Sequence, residues 1–240
     1  MFLINLLADV IFNQPFNLKI MKKIIVLSLL FASLFAQELC SQSLYFGLKG
    51  GLNFANMLEQ SDAVTFSEEY KYLQGYNIGL LVETDMSDGI IGESGIYLIT
   101  KGFRLEGGDD INGASGTFST LWVDIPFKVK TKKAVGQIEF FASGGVSGGL
   151  GLSGKMEMDL TLNGNTTSLS EDIKWGDDPD EDDLVRIDYG AIGSIGAEFK
   201  SIIIEASYYY GLANLSSYTD DGYVISSRYF AISLGYKFGL

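Results

Sequence analysis

The chain has 240 residues and a formal net charge of −13, with 47% hydrophobic and 20% charged residues. A balance this acidic repels nucleic acid, and a single cysteine cannot build an intramolecular disulfide framework. The sequence contains no histidine, the commonest general base and transition-metal ligand. We therefore predict a protein that is not an enzyme, with no catalytic residue, no cofactor and no metal site.

The N-terminal part of the chain carries a targeting pattern. Met21 and two lysines precede an apolar run of thirteen residues, Ile24 to Ala36, which polar residues follow. This pattern is typical of a secretory signal peptide. We predict a signal peptide and cleavage region at 21–43, and we interpret residues 1–20 as a mis-assigned upstream start.

Two other interpretations of this region are disfavoured. Cys40 invites a lipoprotein reading, but a lipidation site needs a small residue before the cysteine, and Leu39 stands there. A single uncleaved anchor over 2–36 would have to bury Pro15 and three lysines in the bilayer, which is costly.

From Leu44 onward the dominant sequence period is two, the period of strands with two different faces. The clearest case is Leu184 to Phe199, where apolar residues fall on one parity and polar or small residues on the other. Many such segments run well beyond the roughly 5–6 residues of an average soluble strand. We predict eight strands, at about 44–56, 70–84, 90–104, 116–130, 135–154, 184–199, 201–213 and 224–239.

The connections between these segments alternate in length. Short turns are expected at 85–89, at 131–134 and around Lys200, and the longer connections are 57–69, 105–115, 155–183 and 214–223. Short turns alternating with long loops around an even number of strands are typical of outer-membrane barrels. The sequence therefore predicts an all-β fold, an eight-stranded antiparallel up-and-down transmembrane β-barrel over 44–240 after an N-terminal signal peptide.

Periodicity alone leaves open which parity faces outward. A soluble lipocalin-like barrel would place its apolar residues inside and bind a ligand there. We favour apolar residues outside, because the polar parity is rich in Gly and Ser and suits a narrow filled lumen. The other parity carries large aliphatic residues flanked by Tyr and Phe, as membrane interface girdles require.

Several stretches resemble a known family. The C-terminal stretch Ser233 to Leu240 resembles the insertion signal of bacterial outer-membrane barrels, although a terminal Phe is commoner than Leu240. Four further stretches look like strands of the PorT-type outer-membrane β-barrel proteins of Bacteroidetes, often labelled porin family proteins. They are Gly47 to Asn56, Tyr97 to Phe103, Leu121 to Phe127 and Glu205 to Leu215. The resemblance implies a barrel in the cell outer membrane and implies no common catalytic residues.

The inward parity collects charged residues of both signs. In a lumen of eight strands, side chains just fill the interior, so a salt-bridged plug is favoured over a proton or ion path. Paired carboxylates such as Glu139 and Glu198 could do acid–base chemistry, but nothing in their spacing selects that role. The predicted lumen charges are Lys49, Glu83, Glu93, Lys101, Asp124, Lys128, Glu139, Arg186, Asp188, Glu198 and Glu205.

A glycine-rich segment and an acidic segment each suggest a ligand site, but each also has a simpler structural interpretation. The glycines of 143–149 lack the Lys-Ser/Thr ending of a phosphate loop and lie inside a strand pattern, so close strand packing is favoured. The acidic segment 171–183 lacks the residue order of an EF-hand, so a solvated, flexible loop is favoured over a calcium site.

The sequence leaves three functional classes open. The leading one is a non-enzymatic outer-membrane barrel with a structural or surface-interaction role, or an accessory in secretion or envelope assembly. The second is a narrow channel for ions or small solutes, and the third is the soluble ligand-binding barrel. The expected partners are outer-membrane lipid and lipopolysaccharide, the barrel assembly machinery, and other envelope proteins at the outer loops; nucleic acid is excluded.

Overall fold

The computed structural model describes residues 43–61, 64–65, 70–108, 113–218 and 222–239. The predictions for the upstream start at 1–20 and for the signal peptide at 21–43 therefore lie, apart from Ser43, outside the described residues. Within the described ranges no helix is long and apolar enough to cross a membrane. The same ranges hold ten strands: β1 (Leu44–Ser61), β2 (Val64–Thr65), β3 (Lys71–Ser87), β4 (Ile90–Gly108), β5 (Gly113–Val135), β6 (Ile138–Leu162), β7 (Asn165–Asp172), β8 (Ile187–Phe199), β9 (Ile202–Gly211) and β10 (Val224–Gly239).

Eight of these strands close into a ring. Hydrogen-bonded neighbours follow the order β1-β3-β4-β5-β6-β8-β9-β10, and β10 pairs again with β1. Lys49 in β1, for example, lies opposite Gly79 in β3 and Gly235 in β10, and every pairing in the ring is antiparallel. The predicted eight-stranded antiparallel up-and-down barrel is confirmed, with β2 and β7 as short additions to β1 and β6.

Burial alternates along the ring strands with a period of two. In β5 the buried Trp122 and Asp124 alternate with the less buried Val123 and the exposed Ile125. Large apolar side chains point outward around the whole ring, among them Leu48, Leu52, Ile78, Leu80, Ile96, Phe127, Val146, Ile195, Ile204, Ile232 and Leu234. An outer surface of this kind is stable in lipid and not in water. The soluble lipocalin-like alternative is therefore wrong, because the apolar parity faces out and the charged parity faces in.

Aromatic side chains mark both edges of the apolar belt. Exposed tyrosines lie near the end with the longer loops, and further exposed aromatics lie near the end with the short turns. They are Tyr72, Tyr76, Tyr189, Tyr208 and Tyr210 at the loop end, and Phe140, Phe199, Tyr236 and Phe238 at the turn end. Two such girdles are expected where a barrel crosses the two membrane–water interfaces.

The short connections all lie at one end of the ring. β3 passes to β4 through Gly89 (φ 76°) and β5 passes to β6 through Gly136 (φ 67°), values that glycine adopts without steric cost. β8 passes to β9 at Lys200 (φ 56°). In outer-membrane barrels the short turns face the periplasm, so the opposite end of this ring is extracellular.

Several predicted strand bounds are wrong. At the loop end, β8 begins at Ile187 and not at residue 184; at the turn end, β5 continues to Val135. Leu184 leaves the ring and forms isolated bridges with Trp175 and Ser216 instead. Leu212 and Ala213 lie beyond the end of β9, where each backbone N–H bonds to the carbonyl of Tyr189.

The largest correction concerns the connection predicted at 155–183. β6 runs on to Leu162 and turns into β7, which pairs with it from Lys155–Asp172 to Leu162–Asn165. The turn residues Asn163 and Gly164 both have positive φ, 52° and 76°. Asn-Gly between two segments of alternating apolar and polar residues is a strong signal for a β-hairpin, and the sequence contains this signal. β4, β5, β6 and β7 thus extend as a sheet beyond the ring on the extracellular side.

Candidate functional site

Charged side chains fill the interior of the ring toward its turn end. Among the described residues, lysines and glutamates from several strands meet there in a continuous set of ion pairs. We call this set the lower ion-pair layer: Lys49, Lys128, Lys130, Lys132 and Lys237 with Glu83, Glu93, Glu198 and Glu205. Burying these charges is costly, and their mutual pairing offsets that cost.

Lys130 lies at the centre of the lower ion-pair layer. Its ammonium is 2.7 Å from Glu198 Oε1 and 3.3 Å from Glu93 Oε2, and it donates a hydrogen bond to Glu83. It also lies 4.0 Å from the centroid of the Phe141 ring, within cation–π range. One cation therefore connects carboxylates from three strands, β3, β4 and β8.

Two further lysines extend the layer toward the middle of the barrel. Lys128 Nζ lies 2.6 Å from Glu93 Oε1, and Lys49 Nζ lies 2.9 Å from Glu205 Oε1. All four side chains are buried. Because each glutamate has a lysine within ion-pair distance, the layer works as a plug, as the sequence predicts for a narrow lumen.

A second charged group lies nearer the loop end. Lys101 Nζ is 3.0 Å from Asp124 Oδ2 and 2.8 Å from Asp188 Oδ2. Ser227 donates a hydrogen bond of 2.6 Å to the same Asp188 oxygen. The Lys101 ammonium also lies 4.8, 4.7 and 5.9 Å from the ring centroids of Trp122, Tyr209 and Tyr229. We call this set the upper cage: Lys101, Asp124, Asp188, Trp122, Tyr209 and Tyr229.

A small cavity of about 40 Å³ separates the two charged groups. Its lining includes Lys49, Tyr97, Asp124 and Ser147. Within the described residues, the Tyr97 hydroxyl and the Ser147 Oγ are buried without a hydrogen-bond partner. At roughly 10–15 Å³ per water, the cavity has room for about three water molecules that could satisfy these groups.

Apolar side chains cover the upper cage at the loop end. Ile173, Leu184 and Leu215 are buried and belong to the same cluster as Trp122. Trp175 packs edge-on against Trp122, with ring centroids 5.3 Å apart. We call Ile173, Trp175, Leu184 and Leu215 the apolar cap.

The apolar cap corrects the expectation for the acidic segment 171–183. Its acidic side chains are mostly exposed, as predicted, but Ile173 is buried and Trp175 packs on the upper cage. The segment is therefore not a purely solvated loop. Asp178 and Asp182 instead form an internal hydrogen-bonded turn, in which the Asp178 N–H donates to Asp182 Oδ2 at 3.1 Å. In the described ranges no group of three or more His, Cys, Asp or Glu side chains is placed to hold a metal ion.

Most of the predicted lumen charges are where the sequence places them. Two are not: Glu139 is half exposed at the turn end, and Arg186 is partly buried before the start of β8. Lys130, Lys132 and Lys237 were missed, although each lies on the inward parity of its strand. Glu139 and Glu198 are opposite each other in the β6–β8 ladder, and Lys132 lies within ion-pair distance of both.

The glycines of 143–149 lie within β6, as expected for close strand packing. A Cβ at Gly145 would lie 2.0 Å from the Phe127 carbonyl oxygen in the neighbouring strand. Gly145 therefore allows the backbone of β5 to approach closely, and the segment is part of a strand and does not form a phosphate loop.

Two loops are tied together at the extracellular rim by one carboxylate. Tyr70 and Tyr223 both donate hydrogen bonds to Glu59. Burial, together with these bonds to the anionic Glu59, raises the pKa of both tyrosine hydroxyls. The tie joins the connection after β1 to the connection before β10, which are neighbouring strands of the ring.

A closed antiparallel ring with an apolar, aromatic-edged outside and a charged, plugged inside defines a transmembrane β-barrel of the outer-membrane type. The family model described as the outer membrane protein beta-barrel domain matches residues 35–217. That is most of the chain, and the protein belongs to this family. Its location is the outer membrane of the cell.

Solved structures of other outer-membrane proteins are similar to this chain. One is Ail, the attachment invasion locus protein of Yersinia pestis, at 14% identity and a TM-score of 0.33, covering 81% of this chain and 99% of Ail. Neisserial surface protein A has 9% identity and a TM-score of 0.39, covering 80% and 95%. The outer membrane protease OmpT of Escherichia coli has 9% identity and a TM-score of 0.34, covering 85% and 99%. None of the curated proteins compared with this chain matches it.

Proposed function

We propose that this protein is a closed, non-enzymatic outer-membrane barrel whose role is contact at the cell surface, as a structural or accessory component of the envelope. The observation that carries the proposal is the filled lumen. The lower ion-pair layer, the upper cage and the apolar cap follow one another along the barrel axis and leave a cavity of only about 40 Å³ between the charged groups.

With the lumen filled, the groups available for contact with other molecules lie on the extracellular sheet. β7 is exposed along all eight of its residues and pairs with β6 on one side. Leu169 is 54% exposed and Leu162 67% exposed on this sheet. Exposed strand edges and apolar side chains are surfaces at which other proteins bind. The resemblance to PorT-type proteins of Bacteroidetes supports an accessory role in secretion or envelope assembly.

The absence of histidine from the sequence supports a non-enzymatic role, since the commonest general base is missing. The partners we propose are outer-membrane lipid and lipopolysaccharide, the barrel assembly machinery during insertion, and other envelope proteins at the extracellular sheet. A net charge of −13 disfavours nucleic acid.

Conductance tests the closed lumen. Pure monomer in a planar bilayer should give no stable current steps, whereas a general diffusion porin in the same bilayer should conduct in proportion to salt concentration. Stable, salt-proportional steps from the monomer would contradict the closed barrel. They would favour the second candidate, a narrow channel, for which the cavity between Lys49 and Asp124 is the supporting observation.

The contact role is tested by shortening the β6–β7 hairpin. Residues 157–170 are replaced by Asn-Gly, which joins the paired residues Met156 and Glu171 by a tight turn. The wild type should give cross-linked partners on intact cells, and the shortened variant should lose them. The variant should keep its heat-modifiable gel migration, since the ring strands remain. Unchanged cross-links with the shortened hairpin would contradict the proposal.

A further inference from the structure

A groove of about 570 Å³ lies across the outer wall of β3 to β6 near the loop end. We call it the outer groove. Its volume is within the range of roughly 300–1,000 Å³ that small-molecule sites occupy. It is separate from the lumen cavity, with which it shares none of the described lining residues.

The outer groove lies where two strand pairings become irregular. The β3–β4 register shifts between Tyr72 and Asn77, and the β5–β6 register shifts between Leu121 and Trp122. Thr100 in β4 is opposite Leu121 in β5, so the two irregularities lie at the same height. β-Bulges of this kind bend a sheet and redirect side chains, and they are common beside functional sites.

The groove opens at the outer membrane interface. Tyr76, which lines it, is 54% exposed and precedes the lipid-facing Ile78 and Leu80 on the same face of β3. Leu121 lies on the outward parity of β5, next to the buried Trp122. Tyrosines at this height lie at the level of lipid headgroups. In an outer membrane, the outer leaflet presents the sugars of glycolipids at this level.

The lining has the donors and acceptors that sugar hydroxyls need. Hydroxyl groups come from Thr100, Thr117, Ser119 and Ser153. Each can donate and accept a hydrogen bond, and the Gln74 side chain adds an amide with both functions. The exposed Tyr76 ring supplies an apolar face against which a sugar ring can lie.

The charges of the groove select against anionic sugars. Among the residues that the structure describes, its lining contains one cation, Lys155, which lies 3.2 Å from Glu157 Oε1. Asp172, opposite Lys155 in the β6–β7 ladder, adds a second carboxylate. With two acidic groups and one basic group, a phosphate or sulfate would meet net repulsion.

We propose that the outer groove binds an uncharged saccharide, with the sugar ring against Tyr76 and its hydroxyls hydrogen-bonded to the hydroxyl-rich floor. The sugar can come from a glycolipid headgroup in the outer leaflet or from a free oligosaccharide. This is a binding site on the lipid-facing wall, and it does not depend on the closed lumen or on contacts made by β7.

The test uses the full barrel in phosphatidylcholine nanodiscs and counts bound ligand by native mass spectrometry. One arm adds maltotriose to the solution, and the second includes glucosyl diacylglycerol in the nanodisc. Binding in the second arm alone assigns the sugar to a glycolipid, and binding in both arms assigns it to saccharides generally. Absence of binding in both arms would overturn the proposal.

Ser119→Trp fills the groove and should weaken binding by about tenfold or more. Ala191→Trp is the matched control, because Ala191 is exposed on the outward parity of β8 and is not among the residues that line the groove. Tyr76→Leu keeps an apolar surface, removes the stacking ring and gives an independent readout if Ser119→Trp does not fold. Equal binding by wild type and both groove variants, or stronger binding of sucrose octasulfate than of maltotriose at the groove, would refute the assignment.

Discussion

Gly149 lies directly opposite Asp124 in the β5–β6 ladder, and a Cβ at this glycine would lie 2.4 Å from Asp124 Oδ1. The Lys101 ammonium would be 3.4 Å from the same Cβ. The missing side chain of Gly149 is therefore the space that the Asp124–Lys101 ion pair occupies. The upper cage depends on a small residue in β6 as much as on the charges themselves.

Gly149→Ala should destabilise the barrel by about 1–3 kcal/mol, the usual range for overpacking a filled interior. Gly148→Ala is the control, since a Cβ at Gly148 meets no atom of the described residues within 4 Å. The measurement is the midpoint temperature of heat-modifiable gel migration. Equal midpoints for the two variants would show that the upper cage can move aside.

Removing the central cation of the lower ion-pair layer should be strongly destabilising. Lys130→Met leaves Glu83, Glu93 and Glu198 buried with fewer counter-charges, which costs about 3–5 kcal/mol where one partner of a buried pair is deleted. Lys155→Met, which breaks an exposed pair with Glu157, should leave stability unchanged. Urea unfolding in lipid vesicles compares the two, and a small effect of Lys130→Met would mean that water reaches the layer.

A charged residue on the lipid-facing side of β8 should destabilise the barrel by an amount that depends on its depth in the membrane. Ile195 is 66% exposed to the membrane, and Ile195→Arg should cost about 2–4 kcal/mol if the site lies near the midplane. Ser194, 5% exposed, faces the lumen, where Lys128 donates to its Oγ. Ser194→Arg should therefore destabilise the barrel by crowding the lumen and by charge repulsion from Lys128. Spin labels at 191–196 should alternate between lipid and polar environments, and a period of 3.6 residues would overturn the fold.

The apolar cap leads to a revised expectation for the acidic segment. Trp175→Ala should destabilise the barrel by up to about 3 kcal/mol, the lower end for truncating a buried Trp, because Trp175 packs on Trp122. Replacing Asp177, Asp180 and Glu181 by Asn or Gln should have little effect, since these side chains are exposed. Thermal midpoints separate the two results, and an unaffected Trp175→Ala variant would mean that the cap opens freely.

The Glu59 tie predicts a loss of stability in alkali. Because the folded protein holds the pKa of Tyr70 and Tyr223 above the unfolded value of about 10, the stabilisation is complete below that pH and decreases as the pH rises further. A Tyr70→Phe, Tyr223→Phe double variant has no ionisable hydroxyl at these positions and lacks this pH-dependent stabilisation. Thermal midpoints measured from pH 8 to 11 should fall more steeply for the wild type, and parallel curves would exclude the tie.

Local sequence determined most of the barrel. The period of two in segments such as 184–199, and the alternation of short and long connections, predicted the eight ring strands and their order. Periodicity works here because each strand has one lipid face and one lumen face, which leave a clear chemical signature. The Asn-Gly turn at 163–164 and the alternation of Met and Leu with polar residues before it were also present in the sequence, although we predicted a single long connection over 155–183.

The tertiary structure alone decided which charges meet. Lys130 and Glu198 are far apart in sequence, and they pair because the ring brings β5 and β8 to the same height on either side of β6. In the same way Trp175 reaches Trp122 only after β7 returns to the barrel mouth. A period of two assigns each residue a face, but the height at which strands meet depends on their register. Register is set by turns, bulges and ring closure together.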